Sequence, residues 1–247
     1  MSDEPQDEHH LIAVRREKLT QLQELGVNPY GGKFETTHQP GELRAHFEEG
    51  KQVTIAGRMT AKRGFGKSSF FELSDFEGKI QCHIGKNEVE ESDFEAFKLL
   101  DMGDWLGVEG ETFVTQKGEP SVKTKKLTVL SKALRPLPDK WKGISDRELQ
   151  YRKRYLDLVS SERSREIFRK RCQMVAEIRS FLTDRGFFEV ETPMLQDVPG
   201  GAAAQPFQTR HNALSMDMYL RIAPELYLKR LLVGGFPKVF ELNRNFR

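Results

Sequence analysis

Between Gln52 and Leu134 the hydrophobic period of the chain is two, and glycines and short polar stretches punctuate it. Side chains alternate across a strand, so this pattern restricts the segment to a small unit of half-buried strands. Val53, Ile55 and Gly57 open the first run. The runs Ser69–Asp75 and Lys79–Ile84 flank Glu77 and Gly78, which predicts a hairpin. Parity then assigns Phe71, Leu73, Ile80, Cys82 and Ile84 to an inner face, and Phe70, Glu72, Gln81 and His83 to an outer one. An outward phenylalanine beside an amide and an imidazole suits stacking on, and hydrogen bonding to, single-stranded bases. A surface aromatic covered by a loop is the plainer alternative.

Glu91–Leu100 reads as a short helix through Phe94, Phe97 and Leu100, and strands over Trp105–Thr115 and Ser121–Leu130 follow, joined at Lys117 and Gly118. Three strands, a helix and two strands is the chain order of an OB-fold barrel. Lys123, Lys125, Lys126, Lys132 and Arg135 decorate its last strand and exit, where they either meet phosphates or form a solvated face. The stretch Ala61–Ser68 (AKRGFGKS) satisfies a relaxed phosphate-loop pattern. Such a loop works by delivering its glycines to a helix N-terminus, and here a strand follows, so the stretch is read as a basic hairpin loop.

Upstream, Leu11, Val14, Leu19, Leu22 and Leu25 recur at helical spacing from His10 until Gly26 and Pro29. His9 and His10 are read as solvated. With 39 basic and 37 acidic residues the net charge is +2, so nucleic-acid binding must come from local patches. No apolar run approaches the roughly 20 residues of a membrane helix, and Met1 leads into acidic residues rather than a secretory signal, so a cytoplasmic location is expected. Cys82 and Cys172 lack ligand spacing and are read as small core residues, with neither disulfide nor metal.

The proline-rich stretch Leu134–Gly143 marks a boundary. Beyond it Asp146–Asp157 is a basic helix start. A long amphipathic helix over Arg163–Arg185, ended by Gly186, is expected to be buried through Ile167, Phe168, Cys172, Val175, Ile178, Phe181 and Leu182. It runs into a strand over Phe188–Leu195, where Pro193 argues for an edge or an interface. A last strand over Phe236–Arg247 would alternate Phe240, Leu242 and Phe246 against Glu241, Asn243, Asn245 and Arg247. That polar face either lines a pocket or is simply wet.

The long helix followed by GFFEVETP, ending at Pro193, resembles motif 1 of class II aminoacyl-tRNA synthetases. The run FELNRNFR over Phe240–Arg247 resembles the first half of their motif 2. VPGGAAA from Val198, HNAL from His211, MYLRIAPELYLKR from Met218 and RPLPD from Arg135 narrow the resemblance to lysyl-tRNA synthetases of bacterial type. It covers nearly the whole chain, the N-terminal tail excepted. The resemblance implies an α+β protein: a helical extension over 1–50, an OB-fold anticodon-binding barrel over 51–134, a linker over 135–145, and the beginning of a class II antiparallel-sheet catalytic domain over 146–247.

It also implies a lysine–tRNA ligase that makes lysyl-adenylate from lysine and ATP and passes lysine to tRNA(Lys), as a homodimer without membrane attachment. Glu225 resembles the carboxylate that takes the substrate α-amino group, Gly201 the position whose carbonyl approaches it, and Arg247 the motif 2 arginine for the carboxylate and ATP α-phosphate. A glutamate after Pro224 is also what a helix N-terminus favours by itself, and Gly200-Gly201 could be an ordinary turn. Phe70 and Gln81 match the positions that stack on and hydrogen-bond the central anticodon uridine, and Arg58 is a weaker candidate for a phosphate or base contact. The second half of motif 2, the motif 3 arginine and the carboxylates for the substrate ε-amino group and Mg2+ are expected beyond Arg247, so the chain is expected to be an N-terminal portion that is inactive alone. Competing readings are a non-catalytic tRNA-binding module, and a relative that lysylates a protein, which the anticodon domain disfavours.

Overall fold

The structure, a computed structural model, describes residues 6–138 and 143–247. The first residues of the acidic tail and the centre of the expected linker, 139–142, lie outside the described residues. The chain divides between Arg165 and Glu166 into two compact units.

The first unit opens with α1 (Gln6–Glu24) and α2 (Pro40–Ala45). Too short for a period to show, α2 is a turn started by Pro40 and a capping box between Gln39 and Glu42. Then come β1 (Gln52–Phe65), β2 (Ser68–Ser74), β3 (Lys79–Gly85), α3 (Glu91–Lys98), β4 (Trp105–Val114) and β5 (Pro120–Ser131). The strands close into a barrel in the order β1-β2-β3-β5-β4, with β3 and β5 parallel and the other pairs antiparallel. This is the OB-fold chain order, with α3 between the third and fourth strands. The β2–β3 hairpin turns where expected, because the Asp75 carboxylate accepts from the amides of Glu77 and Gly78 at 2.8 and 2.7 Å. Gly110 faces a close approach of backbone: a Cβ there would lie 2.1 Å from the Lys123 carbonyl oxygen, at a bulge between β4 and β5.

The inner set read from parity is buried, Cys82 included, and α3 adds Phe94 and Phe97 to it. Leu22 of α1 and Leu43 of α2 join the same core. Arg15 of α1 donates to the carbonyls of Met102, Ala133 and Arg135, so polar bonds as well as apolar burial hold α1 on the barrel. Beneath it the ammonium of Lys132, fully buried, pairs with Asp104 at 2.9 Å and Asp101 at 2.7 Å. Two short helices, α4 (Arg147–Arg152) and α5 (Arg154–Ser160), follow, the first capped by the Asp146 side chain.

The helix α6 (Glu162–Thr183) carries the chain into the second unit, which holds β6 (Phe188–Glu189), β7 (Leu195–Gln196), β8 (Gln208–His211), β9 (Met216–Leu220), α7 (Glu225–Val233) and β10 (Val239–Phe240). β6 pairs in parallel with β10, while β7, β9 and β8 form an antiparallel sheet in that order. Three expectations are corrected here. None of the residues of α6 is buried, and Ile167, Phe168, Ile178 and Phe181 are exposed, as is Cys172. The helical period marks which face is apolar, and the two-residue ladder of β6 and β10 covers little of it. The strand expected over Phe188–Leu195 is broken: its ladder ends with the Val190 amide on the Phe240 carbonyl, and it resumes as β7 in another sheet beyond Pro193. The last strand stops at Phe240, and its alternation fails, since the Glu241 side chain is buried and Leu242 is 39% exposed.

Candidate functional site

On the outer face of the barrel, Phe70, Gln81 and His83 line an open groove of about 690 Å3 together with Arg63, Phe113 and Lys123. The register sets this up, with Phe70 opposite His83 and Glu72 opposite Gln81 across β2 and β3. The Phe70 and His83 rings lie 4.8 Å apart at 51°, and Phe113 meets His83 edge-on at 6.3 Å. These separations are those of favourable aromatic pairs, and the faces not used between them are open to a planar ligand.

Gln81 is oriented by its neighbours. Ser121 Oγ donates to the Glu119 carbonyl at 3.1 Å, so its hydroxyl accepts from Gln81 Nε2 at 2.9 Å. That bond leaves Gln81 Oε1 as an acceptor at the groove. Lys123 pairs with Glu88 Oε1 at 2.8 Å, and this bond raises the lysine above its ordinary pKa.

Arg63 was not singled out by the strand pattern, because a bulge decides its direction. The β1–β2 register shifts between Met59 and Ala61, after which Arg63 stands opposite Phe70 and Lys62 opposite Phe71. Lys62 therefore turns inward. Its ammonium donates to the carbonyls of Phe97 and Leu100 at 2.7 and 2.8 Å and sits 4.5 Å from the Phe97 ring centre. Burial pulls its pKa down to about 8, against the partial opposition of Asp101. The hairpin tip beyond carries Gly66 at φ 66°, and β2 rather than a helix N-terminus follows it, so the stretch is a basic turn between strands.

Arg58 does not line this groove. It donates to the Gly103 carbonyl at 2.9 Å and lies 5.3 Å from the Trp105 ring centre. Burial lowers its pKa, with Asp104 acting in the opposite direction.

In the second unit, Gly201, Glu225 and Arg247 gather around one short stretch. Gly201 adopts φ 88°, and a Cβ there would lie 3.2 Å from the Ala223 Cβ and 3.6 Å from the Glu225 Cβ. Glycine is thus favoured by the backbone conformation, and a Cβ would fit only tightly. Arg247 Nε donates to the Ile222 carbonyl at 3.2 Å. Glu225 opens α7 and meets Lys229 one turn on at 2.6 Å, and this bond holds its carboxyl below the usual range. That pair is exposed, so the carboxylate can exchange Lys229 for another ammonium.

A buried ion pair supports this arrangement. Arg221 and Glu241, each 4% exposed, meet at 2.6 Å, and Thr192 donates its hydroxyl to the same carboxylate at 2.7 Å. Burial pushes the Glu241 carboxyl up, but the bonds from Thr192 and Arg221 outweigh it, and its pKa lies below the ordinary value. Arg221 also holds the last residues of the chain: its Nε donates to the Arg244 carbonyl, and its own carbonyl accepts from the Phe246 amide at 3.0 Å. The only signal for this pair was a charged residue in an otherwise apolar run on each side, Arg221 after Tyr219 and Leu220, and Glu241 after Phe240. No described group of His, Cys, Asp or Glu has the arrangement to hold a metal ion. Among the described residues no helix is long and apolar enough to cross a membrane.

Residues 53–130 match the family described as "OB-fold nucleic acid binding domain", and residues 146–247 match "tRNA synthetases class II (D, K and N)". Barrel and second unit together thus define a class II aminoacyl-tRNA synthetase architecture with a nucleic-acid-binding domain ahead of it. The chain is 54% identical over 246 residues to the lysine–tRNA ligase of Carboxydothermus hydrogenoformans, covering 99% of this chain and 50% of that protein. It is 51% identical over 248 residues to that of Pelotomaculum thermopropionicum, covering 100% and 49%, and 53% identical over 250 residues to that of Cupriavidus metallidurans, covering 98% and 48%. The chain is similar to these lysine–tRNA ligases over nearly its whole length, and it spans about half the length of the curated relatives it matches.

Proposed function

We propose that the protein activates lysine with ATP and transfers it to tRNA(Lys), the barrel reading the anticodon loop. The observation that carries the reading is the groove of Phe70, Gln81, His83 and Arg63, which offers a stacking ring, an oriented amide acceptor and a cation on one face. A single-stranded base stacks on Phe70, and the Gln81 Oε1 takes a base N–H such as the imino group of uridine. Arg63 and Lys123 stand where phosphates of the loop would pass.

In the activation step the lysine carboxylate attacks the ATP α-phosphate, pyrophosphate leaves, and lysyl-adenylate forms. A tRNA terminal hydroxyl then displaces AMP. Glu225 receives the substrate α-ammonium, the Gly201 carbonyl approaches the same group, and the Arg247 guanidinium faces carboxylate and α-phosphate, where its planar fork matches both oxyanions. The family implies Mg2+, but the described residues do not fit it, since none of their acidic groups cluster as a metal site. Homodimeric assembly and a cytoplasmic location belong to the same proposal. The exposed apolar residues Ile167, Ile178 and Phe181 of α6 support the first.

Titration of the chain with a lysine-anticodon stem-loop tests the barrel's role. Phe70→Ala is expected to weaken binding by about 1–3 kcal/mol, the worth of one base stack, with folding checked by circular dichroism. Unchanged affinity removes Phe70 from the site. Lysine-dependent ATP–pyrophosphate exchange by the whole protein tests the other half, where Glu225→Gln is expected to raise the KM for lysine.

A further inference from the structure

The histidine in the groove carries more than a ring face. Its Nδ1 lies 3.2 Å from Glu88 Oε2, an oxygen that is buried and takes no aligned hydrogen bond from any described residue. Gly85 makes this approach possible, since a Cβ there would stand 2.9 Å from the same oxygen. The other carboxylate oxygen is occupied by Lys123, which also stands opposite His83 in the β3–β5 register. A buried carboxylate oxygen that lacks a donor is costly, and the Nδ1 proton is the donor within reach. Nε2 is engaged by none of the described residues, and the ring lines the groove between Phe70 and Phe113.

We infer that Glu88 is a positioning residue that holds His83 in the Nδ1–H tautomer, so that Nε2 is an acceptor for a hydrogen-bond donor of the bound nucleotide. The inference rests on the barrel groove being the anticodon-loop site. In a free imidazole the Nε2–H tautomer competes, and a carboxylate at Nδ1 reverses the preference by accepting that proton, as an orienting carboxylate does for a histidine in metal and catalytic sites. Lys123 offsets the carboxylate's charge, so the carboxylate can orient the ring without adding net negative charge beside the phosphates. The donor on the ligand is either a base N–H or a ribose 2′-hydroxyl, the group that separates RNA from DNA.

Two measurements on the 247-residue chain test this. Long-range proton–nitrogen correlation spectra near pH 8 are expected to report the Nδ1–H form for His83, and Glu88→Gln is expected to shift the ring toward the Nε2–H form. A wild-type ring in the Nε2–H form overturns the inference. In titrations with the anticodon stem-loop, His83→Phe keeps an aromatic ring and is expected to lose about three- to tenfold in affinity, the worth of one hydrogen bond. Glu88→Gln, which keeps the side-chain shape, is expected to lose a smaller factor in the same direction. A loss that disappears when the loop carries 2′-deoxyriboses assigns the donor to the 2′-hydroxyl, and a loss on both loops assigns it to a base. Unchanged affinity in His83→Phe on both loops, with Phe70→Ala still weakening binding, overturns this inference alone. If Phe70→Ala also has no effect, the groove itself is the wrong site.

Discussion

Phe71 in the barrel and Ile167 on α6 both sit on apolar faces that the sequence periods pick out, yet the first is 1% exposed and the second 55%. The barrel is closed, so each strand has neighbours on both edges and every inward side chain meets others. In the second unit the ladders are two to four residues long, and none of the residues of the long helix is buried. What holds that unit locally is polar instead, with Arg221 and Glu241 tying residues 192, 221, 241 and 244 together. Burial by closure spreads stability over many side chains, whereas a buried ion pair concentrates it in one contact.

Substitutions should break this comparison in order. Phe71→Ala is expected to cost about 3–5 kcal/mol of barrel stability, measured by urea unfolding, because a large buried ring leaves a cavity. Arg221→Met should cost roughly 3 kcal/mol in the second unit by leaving Glu241 buried without its cation. Hydrogen exchange at the Val190 and Phe246 amides would register it. Its pH dependence sharpens the case. In the wild type the Glu241 carboxyl titrates below its ordinary value of 4.5, so its stabilisation is complete above that value and is lost as pH falls through the lower, folded one. In Arg221→Met burial dominates, and destabilisation should grow as pH rises.

Smaller effects follow. Ile167→Ala on α6 should change the stability of the chain by less than about 1 kcal/mol, since its side chain is already wet. A loss as large as that of Phe71→Ala would show the helix face to be covered in solution. Lys62 gives a signal that shows only as a slope with pH. Its folded pKa of about 8 lies below the model-compound value of 10.5, so the unfolded chain holds that proton more strongly between the two, and barrel stability rises with pH across that window. Lys62→Met should remove that rise, worth up to about 1 kcal/mol per pH unit, in thermal melts taken between pH 7.5 and 10. The charges of Asp101, Asp104, Lys18 and Lys132 face the same ammonium and remain in the variant.

The strand pattern alone placed Phe70 and Gln81 on one outer face and located the hairpin between them, because alternation is a property of each strand and Asp75 closes the turn within four residues. It placed Arg63 nowhere useful, since an extra residue at the bulge reverses the parity beyond Met59. The helix over α6 was legible in extent and misread in burial, and the strand through Pro193 was misread in length.

The sequence by itself determined the element order of the barrel, its inner and outer faces, and the residues available for stacking, since each depends on neighbours a few positions apart. Only the tertiary structure decided which distant residues meet. Gly201 stands against Ala223 and Glu225, Arg221 against Glu241, and Glu88 behind His83 with Lys123 at its other oxygen. A period records which side of a segment is apolar, while the meeting of residues far apart in the chain is set by how whole elements pack, and no local pattern encodes that.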